Sequence, residues 1–471
     1  MNKQKTRRPE LLAPAGNMEK FFTALHFGAD AVYLAGKNFG LRAFADNFTL
    51  DEIKFCCGYA HEKGKKVYVT VNIFADGRDL EKLPDYISAL DNCGADALIV
   101  SDAGVMQIAK SVAPRLPLHL STQANCTNAR AAEFWRDAGV SRIVAARECG
   151  FDDLVQMAAL KNCELEIFVH GAMCMAYSGR CLLSSWLSGR GGNKGECVQA
   201  CRWEWQVSLT EREHPDKPLF LNEDERGVYI MNSRDLCLMP YLDRALETGA
   251  VSLKIEGRMK SAHYVGTVVN AYRRALDACL AGSFSKSVSD GLLNELKKTS
   301  HRAFTSGFLF GKDFDETENF FTSKAVADGN FVASVLDWSD GVAAVEMRNR
   351  FFEGDTLEIL SANDSFGKTF AVADMRDEMS KLPYYSKIHT KRLAFYERNI
   401  LEKADLVLSV SKPLIDDFKT MCSHDRFLEV RNGYDYEECY EVNFQPQFTM
   451  GYIGRFYWMA TPDNFLRPFR N

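Results

Sequence analysis

The chain has 471 residues, 46% of them hydrophobic and 25% charged, with a net charge of −6. Such a length exceeds one ordinary domain, and the balance is that of a globular protein with a sizeable core. The charge excludes a uniformly basic coat, though not a local basic mouth, because steering depends on patches rather than sums.

Met1 to Arg8 is a basic, polar start with no apolar stretch behind it. No run of about eighteen apolar residues follows it, so neither a signal peptide nor a membrane span is expected, and the expected compartment is the cytoplasm. Thiols stay reduced there, so the 14 cysteines are not read as a disulfide framework.

From the first strand onward one unit repeats: an amphipathic helix, a turn often containing Gly-Ala, and a short apolar strand. The expected strands are Leu11–Pro14, Ala31–Ala35, Val67–Ile73, Ala97–Ser101, Leu118–Thr122, Arg142–Ala146, Glu164–Val169 and Ser252–Ile255. Continuous Val/Ile/Leu/Ala runs of this kind suit strands buried on both faces, and the helices between them imply a parallel sheet. Eight such units over 9–300 predict an α/β fold, a (β/α)8 TIM-like barrel, rather than an open doubly wound sheet. The first turn, Pro14-Ala15-Gly16-Asn17, lacks a dinucleotide-binding glycine pattern. Helices are expected over 265–280 and 292–298. Short alternating segments at 331–336, 342–346, 355–360 and 368–372 then predict a small antiparallel β domain over 301–373, cut short before its last strands. Beyond 374 the pattern becomes α/β again, with a helix over 386–403 and a parallel-type strand over 404–411.

Between the seventh and eighth strands lies an insertion, 171–235, far longer than an ordinary connection. It holds Cys174, Cys181, Cys197 and Cys201, four cysteines within 28 residues, spaced C-x6-C-x15-C-x3-C. Zinc knuckles favour C-x2–4-C, which the first pair lacks. Four thiolates on loops of uneven length, interleaved with Gly179, Gly189, Gly191, Gly192 and Gly195, suit an iron–sulfur cluster. Structural zinc and four merely buried thiols are the alternatives, and Cys237 is a spare ligand.

The run from Glu166 to Ser184 reads E-x-F-x2-G-A-M-C-x4-G-x-C-x-L-S. In this it resembles the collagenase-like peptidase family (peptidase U-thirty-two). His170 to Ser178 and Cys201-Arg-Trp-Glu-Trp205 are most similar to that family's tRNA-hydroxylating branch. The resemblance covers roughly residues 9–375. It implies a 4Fe–4S cluster on Cys174, Cys181, Cys197 and Cys201, and 5-hydroxylation of a tRNA wobble uridine with prephenate as co-substrate. It also leaves open a peptidase or a non-catalytic RNA-binding scaffold. No H-E-x-x-H and no G-x-S-x-G supports hydrolysis.

Groups just past the C-terminal ends of barrel strands are the candidates for chemistry. The rule selects Asn72, Asp102, Gln123, Arg147, Glu148, His170, Glu256 and Arg258. His170 or Glu148 is placed to move a proton; Arg147, Arg258, Arg180 and Lys254 to hold an anion by charge-assisted pairing. Arg190, Lys194 and Arg202 would meet an RNA backbone. Residues 374–471 resemble instead a fragment of a GT-B-type glycosyltransferase, through Glu402 to Ser411, Arg431-Asn-Gly-Tyr-Asp435 and Gly451-Tyr-Ile-Gly454. That reading implies a fusion whose tail is inactive as a transferase.

Overall fold

The structure is a computed structural model that describes residues 8–40, 46–173, 188, 208–211, 214–220, 234–311, 325–339, 341–375, 402, 407–409, 418–420 and 423–429. Two compact units divide the chain, 1–372 and 373–471.

In the first unit, β1 (Glu10–Pro14), β2 (Ala31–Leu34), β3 (Lys66–Val71), β4 (Ala97–Val100), β5 (Leu118–Leu120), β6 (Arg142–Val144) and β7 (Glu164–Ala172) pair in parallel in sequence order. After the hairpin β8 (Ser208–Glu211) and β9 (His214–Phe220) comes β10 (Asp235–Cys237), then β11 (Ser252–Ile255). Parallel pairing of β11 with both β7 and β1 closes an eight-stranded barrel. The eight strands fall where the continuous apolar runs place them. Between them run α1 (Met18–His26), α2 (Leu50–Glu62), α3 (Gly77–Asn92), α4 (Ala103–Val112), α5 (Ala129–Asp137), α6 (Phe151–Ala158) and α7 (Leu242–Glu247). Local chemistry fixes their ends: Thr49 with Glu52, and Asp76 with Asp79, form capping boxes on α2 and α3. The glycines of the Gly-Ala turns, Gly28, Gly94 and Gly249, take positive φ, as a helix ending in a tight reversal into a strand requires.

The outward faces of the strands and the inward faces of the helices share one large apolar core. Inside the barrel lies a separate, smaller apolar cluster of Leu12, Ala31, Tyr33, Tyr68, Ala97 and Ile99. Helices α8 (Ala262–Ala281) and α9 (Lys286–Lys297) close the outside, and β12 (Phe304–Thr305) pairs with β10. Then β13 (Ala333–Ser339) pairs with β14 (Val342–Met347), and β15 (Thr356–Glu358) with β16 (Thr369–Ala371), as two antiparallel ribbons. Their faces are largely open: Val335, Leu336, Trp338 and Val342 are each at least 60% exposed. In the second unit, β17 (Val407–Ser409) pairs in parallel with β18 (Phe427–Glu429).

Candidate active site

The lower half of the barrel interior is ionic. Glu166, fully buried on β7, accepts from Lys254 Nζ at 2.9 Å and from Arg142 Nη1 at 3.2 Å. Arg142 also donates to Glu10 at 2.7 Å and to Glu164 at 2.7 Å; Tyr68 and Ser252 complete Glu10. Burial alone would raise the Glu166 carboxyl, yet Lys254 and Arg142 together outweigh it and hold the pKa down at about 2. His119 stands edge-on to Tyr68 in the same layer; burial and the nearby Arg142 push its pKa down to about 3, so it is neutral.

Above that layer lies the mouth. The Lys254 ammonium sits 4.5 Å from the Tyr33 ring centre and 5.5 Å from that of Phe168, and the Arg147 guanidinium covers Phe168 at 4.0 Å. Arg258 reaches from beyond β11 to donate to Thr70 on β3 at 3.0 Å and is only 3% exposed. Glu148, next to Arg147, is half-buried, and its Oε2 has no hydrogen-bond partner among the described residues. Burial raises its pKa above the ordinary carboxylate range, against its own backbone N–H and Arg147, which lower it. Glu256 lies at the same end, its backbone N–H on His170 O at 2.8 Å.

Three sequence-based assignments change. His170 was expected at the mouth, as a group just past the C-terminal end of its strand. Instead Phe168 pairs with Lys254 and His170 with Ile255, so Val169 is an extra residue on β7. This bulge turns His170 to the outer face, since a one-residue slip reverses the side-chain direction. There it is 2% exposed among Tyr264, Tyr272 and Phe304, with the Tyr272 hydroxyl 3.4 Å from Nδ1. Burial holds its pKa near 3. Lys254, expected to bind substrate, is instead consumed by Glu166 inside the barrel. Cys237, the spare ligand, is 3% exposed on β10 beside Tyr272, and burial raises its thiol to about 12. It is a protonated core thiol.

Of the other strand-end residues, Asp102 caps α4 and Gln123 lies in the single turn Thr122–Ala124. Asn72 is tied into the rim through Ser121 and Ser101. Sequence reasoning missed Thr70 and Phe168, which support Arg258 and Arg147; their inward parity on β3 and β7 was the available signal. Cys174, Cys181, Cys197 and Cys201, with Arg180, Arg190, Lys194 and Arg202, lie outside the described residues. What is described is where their segment is attached. Strand β7 leads directly into it, and β10 returns antiparallel, Asp235 opposite Ala172 and Leu236 opposite Gly171. Both ends of the cysteine insertion are therefore pinned at the barrel mouth.

A closed parallel barrel with a buried ionic floor, two arginines and one high-pKa carboxyl at its mouth defines an α/β-barrel protein of the catalytic kind. Residues 16–319 match the model of Peptidase family U32 and 328–392 that of the Peptidase family U32 C-terminal domain; the chain belongs to this family. It is 40% identical to tRNA hydroxylation protein P1 of Bacillus subtilis over 75% of this chain and 83% of that one. It is 34% identical to tRNA hydroxylation protein P of Escherichia coli, over 77% and 88% respectively. A Porphyromonas gingivalis protein named collagenase is 30% identical over 72% and 83%. The C-terminal match runs to residue 392, past the point near 374 where the sequence reading leaves the family. The matches do not bear out the glycosyltransferase resemblance of the tail.

Proposed function

We propose that the chain is an iron–sulfur RNA hydroxylase that installs a 5-hydroxyl on a tRNA wobble uridine, with prephenate as co-substrate. The observation that carries it is the family membership together with the mouth itself: cations for anionic substrates beside one carboxyl whose pKa burial raises. Arg147 and Arg258, backed by Phe168 and Thr70, are the groups to hold the carboxylates of a dicarboxylic acid. Glu148 is the group to accept the proton from C5 of uracil, since burial has made its carboxylate a stronger base than usual.

The donor set fits a 4Fe–4S cluster. Four cysteines lie on one insertion whose two ends are pinned at the mouth by β7 and β10, and Cys237, in the core, does not compete with them. Cys174, Cys181, Cys197 and Cys201 would hold it, and when bound it supplies electron-transfer or Lewis-acid chemistry at that rim. Arg180, Arg190, Lys194 and Arg202 would meet the tRNA backbone.

The relative named collagenase favours a peptidase as the second reading. Against it, His119 and His170 are both buried and held neutral, out of reach of a peptide in the mouth. The test is mass spectrometry of tRNA from a strain lacking the endogenous activity, with and without this chain. Restored 5-hydroxyuridine is expected. Unchanged tRNA alongside cleavage of gelatin would replace the hydroxylase reading by the peptidase one.

A further inference from the structure

Two features where the loop between β2 and α2 meets α3 are ones that ordinary packing does not favour. Phe39 has φ +58°, the left-handed region where a bulky aromatic is an outlier. The hydroxyl of Tyr86 on α3 is buried with no partner among the described residues. The two rings lie against each other, centres 5.1 Å apart and tilted by 51°.

The two described ends of the loop are held together. Gly36 bridges to Phe48, and the Lys37 N–H donates to Phe48 O at 3.1 Å, clamping the loop's base. A Cβ on Gly36 would lie 2.0 Å from the Tyr86 hydroxyl, and one on Gly40 2.7 Å from Ala35 Cβ and 3.4 Å from Thr70 Oγ1. Only glycine at both positions lets the loop settle this far. Thr70 is the residue that holds Arg258, so Gly40 abuts the floor of the mouth and Phe39 is its chain neighbour.

Strained backbone and an unsatisfied phenol persist only where surrounding structure enforces them, and they gather at functional sites. Here both fix one aromatic ring, half-buried against Tyr86 and the barrel wall, on the β2–α2 loop next to Gly40 and two residues after the exposed Lys37. A flat ring held from behind, next to positive charge, is the arrangement on which an unpaired nucleobase stacks. We propose that Phe39 is the platform on which an unpaired base of the RNA substrate rests at the mouth. The proposal rests on the RNA-modifying reading of this site.

The test uses the full chain and an unmodified anticodon stem-loop RNA carrying 2-aminopurine beside the wobble uridine. In the wild-type protein, binding should quench the fluorophore by stacking. Phe39→Leu, which keeps apolar bulk without a ring, should weaken binding roughly tenfold and abolish the quench. Phe39→Trp should stay within about threefold of wild type, a stacking ring being retained. Phe39→Gly, which relieves the left-handed strain, should lose the quench without lowering the thermal midpoint. Wild-type affinity and quench in Phe39→Leu would overturn the platform and leave the RNA reading standing, as would equal losses in the Leu and Trp variants. No RNA binding by the wild type would remove both.

Discussion

Replacing Glu166 by glutamine tests whether the residue that begins the signature motif is a structural keystone or part of the chemistry. Its carboxyl is held from an ordinary 4.5 down to about 2, which at ~1.36 kcal/mol per pKa unit corresponds to about 3 kcal/mol of stabilisation of the ionised form. Because the folded pKa is depressed, this stability is fully present above about pH 4.5 and is lost as pH falls towards 2. Glu166→Gln strands the Lys254 ammonium, 4% exposed, in the barrel interior. Breaking one side of a buried pair costs ~3–5 kcal/mol. The Tyr33 ring offsets about 1–2 kcal/mol of that. Arg142 keeps Glu10 and Glu164, so the loss does not spread. We expect Glu166→Gln to destabilise the barrel by about 2–3 kcal/mol at neutral pH. Adding Lys254→Met, which removes the stranded charge, should recover at least about 1.5 kcal/mol. Urea titration read by hydrogen exchange of peptides covering β6, β7 and β11 measures both. A loss below about 1 kcal/mol in the single variant, or strictly additive effects in the double, would refute the pairing as the source of stability.

Glu148→Gln should lower turnover about 10²–10⁴-fold with RNA affinity unchanged. The acid limb of the wild-type pH–rate profile should lie above the ordinary carboxylate range, because burial raises this group; a limb at or below that range would exclude Glu148 as the base. His170→Phe should keep both fold and turnover, since the ring packs among aromatics away from the mouth, and loss of turnover with unchanged thermal midpoint would return His170 to the chemistry. Anaerobically prepared protein should hold about four irons. Cys237→Ala should retain them, whereas Cys174→Ala should lose them; iron content and absorbance decide, and a colourless wild type containing a single zinc would sink the cluster. Limited proteolysis should cut between 325 and 372 before it cuts the barrel, because β13 to β16 form thin ribbons with open faces, which is read from the masses of the first fragments.

The local pattern of the chain was enough to specify the barrel. Apolar runs such as Ala31–Leu34 and Ala97–Val100 suit strands buried on both faces, and Gly28, Gly94 and Gly249 mark where each helix must reverse. Thiol spacing pointed to a metal-binding insertion, and the rule that chemistry sits past strand ends selected Arg147, Glu148 and Arg258 as candidates. What a side chain does with its charge was not local. Lys254 lies in a strand like any other interior position, and only closure of β11 onto β7 puts Glu166 within 2.9 Å of it. His170 lies at an even step from Glu166, which reads as inward. The single extra residue at Val169, set by how β7 must register against β11, turns it out of the mouth and into the wall.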